Sequence, residues 1–286
     1  MKILLLYFTG TYSTLYITTL IKNQLLKLEH EVDVFSLAEK RKISTAKYDV
    51  IGIGYPIHAF NAPKLVEDKI EKYGIKYKKC FIYKVSGEPY KYNNASSYKL
   101  YKILKKQDNE MLGEYHYLMP YNILFKTDEQ FIKYEMEYNL KYIKYMCENL
   151  LVKKDYKVKL SERLICNLFK IQRLGCKLNS KKYSVNKQKC IRCRKCINNC
   201  PTNNIEYKWQ KKKIVFKDKC VMCMRCSFSC PADAINIGLL NKYKVNGPYD
   251  FIKINALENK YNINLENKKF YKKFKPYFDY IDSLTK

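Results

Sequence analysis

The period of the hydrophobic pattern switches repeatedly along the first half of the chain. Lys2–Phe8 (KILLLYF) is a nearly continuous apolar run, as a strand covered on both faces requires. After it, Ile17, Leu20, Ile21, Leu25 and Leu28 recur at helical spacing and predict one buried helix face. Glu31–Leu37 alternates as a half-buried strand. Tyr48–Ile57 and Lys79–Val85 read as further buried strands, and Glu114–Met119 as another. Pro63 opens a short helix, a position where its missing N–H costs nothing. Ser96–Lys106 reads as a helix, and Thr127 to about Lys153 as a long amphipathic one. Residues 1–153 therefore alternate strand and helix, which predicts an α/β doubly wound parallel sheet. Ligands of such sheets bind beyond the carboxyl ends of the strands, at the topological switch point. The loops to inspect are 9–14, 55–62 and 86–92, since each follows a predicted strand.

The pattern changes character after residue 153. Residues 154–182 form a basic connector in which Leu164, Ile165, Leu168 and Ile171 make a helical stripe, so a helical link is expected. Residues 183–240 make a separate cysteine-rich unit. Residues 241–286 are rich in Lys and Tyr, with Tyr277, Tyr280, Ile281 and Leu284 on one small apolar face. That segment is expected to wrap back onto the body.

The cysteine unit is a tandem repeat. Cys190, Cys193, Cys196 and Cys200-Pro201 recur 30 residues later as Cys220, Cys223, Cys226 and Cys230-Pro231. Each copy is C-x2-C-x2-C-x3-C-P. Three thiolates in two tight turns can hold three corners of one cubane, and the displaced fourth turns away towards the other. The spacing assigns Cys190, Cys193, Cys196 and Cys230 to one [4Fe-4S] cluster, and Cys220, Cys223, Cys226 and Cys200 to a second. A zinc site needs only two ligand pairs, and disulfides need an oxidising compartment. Ile191, Ile197, Ile205, Val221, Phe228 and Ile235 are expected to form the dry wall around the cubanes. Cys80 and Cys147 read as small core residues, and Cys166 and Cys176 as too isolated to ligate.

Composition narrows the picture. Of 286 residues, 55 are basic and 27 acidic, for a formal charge of +28. That balance suits nucleic acid, an anionic membrane or an acidic protein. The basic residues are spread along the whole chain, and no groove-reading motif or amphipathic basic helix stands out, so no specific nucleic acid is expected. No apolar run approaches the roughly 20 residues of a membrane span. The short run after Lys2 lacks a cleavage site and reads as a strand, not a signal peptide. A cytoplasmic location is therefore expected. Within the cluster motifs Arg192, Arg194, Lys195 and Arg225 are basic and nothing is acidic, which favours more positive potentials and redox partners with acidic docking faces.

Residues 183–240 resemble a bacterial two-cluster ferredoxin, with all eight ligands matched, which implies a small α+β domain built as a pseudo-twofold pair of hairpins and helices. Residues 1 to about 150 resemble a flavodoxin, best marked by Thr9-Gly10-Thr11-Tyr12-Ser13-Thr14. That loop in flavodoxins wraps the FMN phosphate at a helix N-terminus. The order of the two modules resembles a family of flavodoxin–ferredoxin fusion proteins, marked also by Ala59–Pro63, Ser86–Pro89 and Met119–Asn122. The resemblance implies FMN contacts from Thr9, Gly10, Thr11, Ser13 and Thr14, from Tyr55, His58, Phe60 and Asn61, and from Ser86, Gly87 and Glu88. Tyr90 and Tyr92 could flank the flavin ring from the third loop. Tyr12 stands where the flavodoxin loop has glycine. If that position needs a left-handed backbone, the side chain costs roughly 1–2 kcal/mol. If the phosphate needs the space of the missing Cβ, binding is lost.

Three functions follow as expectations. The first is an electron carrier with two [4Fe-4S] clusters and FMN that passes single electrons between redox partners. The second is an FMN-dependent reductase fed by its own ferredoxin domain. The third is a basic binding protein with structural clusters. Gly52-Ile53-Gly54 has no third glycine and lies in a strand, so a nicotinamide site is unsupported.

Overall fold

The computed structural model describes residues 1–124, 126–245, 249–258 and 269–285. Its first half runs β1 (Lys2–Tyr7), α1 (Ser13–Lys27), β2 (Glu31–Ser36), β3 (Val50–Pro56), α2 (Lys64–Tyr73), β4 (Lys79–Ser86), α3 (Tyr98–Lys106), β5 (Glu110–Leu118) and α4 (Glu129–Glu148). The five strands are all parallel, in the order β2-β1-β3-β4-β5. This is the flavodoxin-like order, with its switch point between β1 and β3. Helices cover both faces. Ile17, Ile21 and Leu25 of α1 join Ile132, Met136 and Ile143 of α4 against one face of the sheet. Leu65, Val66 and Ile70 of α2 join Leu100, Ile103 and Leu104 of α3 against the other.

Local chemistry explains the boundaries. Asp128 caps α4, its carboxylate accepting from the N–H groups of Gln130 and Phe131 at 3.1 Å. The glycines of β3 serve packing: a Cβ at Gly54 would lie 2.1 Å from the Tyr83 ring. β5 starts four residues earlier than the hydrophobic pattern predicts, because Glu110 continues the ladder beside Lys79 on the neighbouring strand.

The chain then enters α5 (Leu160–Phe169) and α6 (Gln172–Ser180) and the cysteine-rich unit. That unit holds β6 (Ser184–Val185), α7 (Lys195–Asn198), β7 (Ile205–Lys208), β8 (Lys213–Phe216), α8 (Arg225–Phe228) and β9 (Ile235–Asn236). β6 pairs with β9 and β7 with β8, both antiparallel. The 30-residue repeat of the sequence is also a repeat of backbone. Arg192, Arg194 and Asn203 have positive φ, and so do Met222, Met224 and Asp233. The dry wall differs in part from the one expected. Ile205, Phe228 and Ile235 are buried in it, with Tyr183, Met224 and Ile237 added. Ile191 instead stands 65% exposed, because the turn between Cys190 and Cys193 faces solvent.

The C-terminal segment contributes α9 (Phe251–Asn255), α10 (Lys269–Lys272) and α11 (Lys275–Leu284). Phe251, Ile254 and Ile281 complete the core on the α1–α4 face, and Phe274 and Phe278 pack on Leu118 and Phe131. Residues 246–248, 259–268 and 286 of the expected wrapping tail lie outside the described residues.

Candidate functional site

The loop after β1 is shaped by Tyr12. Its φ and ψ are 74° and −18°, a left-handed conformation that glycine adopts without strain. Its carbonyl accepts from the Tyr16 N–H at 2.9 Å and so starts α1. The side chain is 40% exposed and is not part of the cavity wall beside it. The first of the two alternatives thus describes this loop: Tyr12 strains the backbone and leaves the space in front of the helix open.

That space has the chemistry of an anion cradle. No side chain caps the N-terminus of α1, and no acid lies in its first turn. Ser13 and Thr14 are buried, and among the described residues neither Ser13 Oγ nor Thr14 Oγ1 has a hydrogen-bond partner. Buried hydroxyls rarely go unsatisfied. Together with the free N–H groups of a 15-residue helix they fit a phosphate.

The cradle opens into a cavity of about 500 Å³, within the usual range for small-molecule sites. Its walls come from four loops at the carboxyl edge of the sheet and from the cysteine-rich unit. Gly10, Thr11, Ser13 and Thr14 supply one wall; His58 and Phe60 supply the second; Ser86, Gly87, Glu88 and Tyr90 supply the third. Residues 119–124 supply the fourth, where Asn122 Oδ1 is buried and also lacks a partner among the described residues. Phe60 anchors the aromatic side. Its ring meets Tyr90 at 6.3 Å, Tyr92 at 5.8 Å and Phe169 of α5 at 4.8 Å. These residues fit FMN, with hydroxyls and backbone for its phosphate and aromatic side chains for its ring.

Three residues expected at this site stand elsewhere. Tyr55 points into the core, fully buried, 3.4 Å from Ser96 Oγ. Even-numbered neighbours on β3 cannot share its face, so the strand pleat decided this. Asn61 donates to the carbonyls of Ala59 and Cys166 and ties α5 to its turn. Thr9 is buried behind the cradle and is not on the cavity wall.

The third loop is held rigidly. Ser86 Oγ donates to the Glu88 carbonyl at 2.8 Å and lies 2.7 Å from His116 Nε2. Asn93 Nδ2 donates to the same carbonyl at 2.9 Å. Burial, and then Lys84, push the His116 imidazole down to about 3, so it is neutral. Lys273 of the C-terminal segment pairs with Glu88, which clasps the loop from outside.

The last wall was not legible in the sequence: Val221, Met222, Cys223 and Met224 of the second cysteine motif close the cavity, with Gln172 and Cys176 of α6. Gly10 makes this possible. A Cβ there would lie 1.9 Å from the Cys223 carbonyl oxygen, so the phosphate loop and the cysteine motif touch through backbone. His58 bridges the same seam. Burial and then Arg173 lower its pKa to about 4, while a hydrogen bond to the Val221 backbone works the other way.

The eight repeat cysteines fall into two groups. Burial first raises the Cys196 thiol to about 11; the Ile197 N–H opposes this, and Cys230, Cys190 and Cys193 add to it. Cys226 is raised chiefly by burial, then by Cys223, Cys220 and Cys200. Cys230 of the second copy thus acts on Cys196 of the first, and Cys200 of the first on Cys226 of the second, which also feels Cys196. Backbone N–H groups of Asn204, Met222 and Ala234 donate to Cys200, Cys220 and Cys230 Sγ at 3.2–3.3 Å. Among the described residues no three Cys, His, Asp or Glu side chains converge on a point that would hold a single ion. Cys193 is exposed, while Cys223 packs against the core of the parallel sheet. The remaining cysteines are buried. Cys166 donates to the Phe60 carbonyl at 2.8 Å, and Cys176 lies 3.8 Å from Met222 Sδ.

Residues 189–235 match the family model described as a 4Fe-4S dicluster domain. No curated protein matches the chain. Among solved structures it is similar to a flavodoxin from the domain Archaea, at 11% identity and a TM-score of 0.39, over 53% of this chain and 96% of that one. It is also similar to the flavodoxin of Streptococcus pneumoniae TIGR4, at 13% identity and a TM-score of 0.40, over 52% and 97%. Oxidised flavodoxin 1 from Bacillus cereus gives 16% identity and a TM-score of 0.36, over 50% and 98%.

Proposed function

We propose that this chain is an electron-transfer protein with two [4Fe-4S] clusters and FMN, arranged as a wire from the protein surface to the flavin cavity. The observation that carries the reading is the contact of Gly10 with the Cys223 carbonyl, which puts the phosphate loop and one cysteine group on two sides of one cavity. In the proposed division, residues 1–153 bind flavin, 154–182 connect, 183–240 hold the clusters and 241–286 wrap the body.

Each residue has a part in this reading. Cys190, Cys193, Cys196 and Cys230 hold the outer cluster, and Cys220, Cys223, Cys226 and Cys200 the inner one. Ser13 Oγ, Thr14 Oγ1 and the first N–H groups of α1 hold the phosphate. FMN bound there would exchange one or two electrons, whereas each cluster exchanges one at a time. The outer cluster is rimmed by Arg192, Arg194 and Lys195, and Arg194 lies 4.8 Å over the exposed Trp209 ring. That rim suits an acidic redox partner.

A reductase reading has one observation in its favour. A second, mainly apolar cavity of about 370 Å³ adjoins the first and shares His58, Gln172, Cys176 and Val221 with it. A small apolar acceptor could sit there.

Anaerobic purification with FMN supplementation tests the proposal. Iron and sulfide should match two cubanes, and heat should release one FMN per chain. The Ser13→Ala/Thr14→Val variant should lose the flavin and keep its iron. Clusters without flavin in the wild type would remove the flavin half of the reading, and iron for a single cubane would remove the wire.

A further inference from the structure

The apolar stripe of the connector marks it as a helical link. The structure turns that stripe outward. Leu160, Leu164, Leu168, Ile171, Leu174 and Leu178 are each 59–70% exposed. Lys170 and Ile171 keep right-handed helical angles, so the helical run passes from α5 into α6. The spacings of 4, 4, 3, 3 and 4 residues keep all six side chains on one face. The opposite face does the packing: Cys166 on Phe60, Arg173 on Glu67, Asn179 on Ile237 and Ser180 on the Lys217 carbonyl. Leu239, 63% exposed, extends the patch, and its N–H is bound to Asn179 Oδ1. Isolated exposed leucines are ordinary, but a continuous row of six is an interaction surface.

Charge identifies what covers it. Lys159, Lys170, Lys177, Lys181 and Lys182 flank the row, and the one acid between residues 159 and 182 is Glu162, which is buried. A second copy would bring two rows of cations together with no carboxylate on either pair of connector helices free to pair them. A nucleic acid would satisfy the lysines and leave the leucines wet. A surface both apolar and anionic satisfies both.

We infer that α5 and α6 form an interfacial helix that seats the protein on an anionic lipid bilayer. The leucine row enters the headgroup–acyl boundary and the lysines meet lipid phosphates. This is docking and not spanning: among the described residues no helix is long and apolar enough to cross a membrane. The inward side of α6 carries Gln172 and Cys176 of the cavity wall. Docking therefore brings the redox cavity to within about one helix diameter, 10–12 Å, of the lipid.

Flotation of the full, cluster-loaded chain with vesicles tests the inference, with phosphatidylcholine alone and phosphatidylcholine mixed with phosphatidylglycerol. The wild type should float with the mixed vesicles, less so as salt rises, and stay behind with the neutral ones. Leu164→Ser/Leu168→Ser/Ile171→Ser should weaken binding by about tenfold or more with cluster absorbance unchanged. Three outcomes would overturn it: no flotation with the mixed vesicles, equal binding by the triple variant, or a wild-type dimer that the variant makes monomeric.

Discussion

At the scale of single residues, Tyr12 and Gly10 carry opposite lessons. Tyr12 looks disabling in the sequence, yet its side chain leaves through solvent and it costs only backbone strain. Gly10 looks like one loop glycine among several, and it is the point where two modules touch. Gly10→Ala should destabilise the protein by about 1–3 kcal/mol, since neither backbone can retreat freely. Thermal unfolding would read the loss, and the rate of flavin reduction through the clusters should fall with it. The cations of the first cysteine motif would act on the potential of the outer cluster proposed there. Arg192→Ser/Arg194→Ser should lower the midpoint of the outer cluster, because positive charge favours its more reduced, more negative state. Redox titration followed by electron paramagnetic resonance would show the shift; an unchanged midpoint would mean that solvent screens both side chains.

At the scale of elements, the hydrophobic period placed every strand and long helix of the first half, because each buries one face on the sheet. It could not say which face of α5 and α6 is buried. There the polar groups do the packing and the leucines do not, so the usual inference from apolar periodicity inverts. The third loop shows a related limit. Lys84 lies in β4 and is 1% exposed, where a strand reading expects an apolar residue. Its Nζ donates to the carbonyls of Asn93 and Asn94 at 2.8 and 3.1 Å and to Glu114 Oε1 at 2.8 Å. It thereby fastens the 3₁₀ turn of residues 91–97 that follows the loop after β4. Lys84→Met should cost about 3–5 kcal/mol, as expected when one partner of a buried pair is removed. Denaturant unfolding would measure it, and flavin affinity should drop in parallel.

At the scale of the whole molecule, the C-terminal segment, the connector and the cysteine unit all converge on the carboxyl edge of one sheet. The pH response should reflect that enclosure. His58 and His116 have pKa values lowered to about 4 and about 3, below the unfolded value of 6.5. The unfolded chain takes up protons below pH 6.5 that the folded chain refuses. Stability should therefore be lost as pH falls from 6.5 towards 3, by up to about 1.4 kcal/mol per pH unit for each histidine. His116→Gln should flatten that slope, seen as a smaller shift in the unfolding midpoint between pH 6.5 and 4.5. A slope equal to that of the wild type would show that His116 is not the group refusing the proton.

Sequence alone determined the parallel sheet and displayed the doubled cysteine motif, because each is written in local spacing. Periods of two and 3.6 residues encode faces, and C-x2-C-x2-C-x3-C-P encodes a turn radius. What only tertiary structure decided is relational. It put Cys223 against Gly10, left the Ser13 and Thr14 hydroxyls without partners among the described residues and turned six aliphatic side chains to solvent. It also drew Tyr55 and Asn61 away from the cavity. No local pattern carries those facts, because each depends on how two surfaces far apart in the chain meet. The loop at residues 9–14 can be recognised from its letters, but the inner cysteine group beside it is a property of the packed molecule.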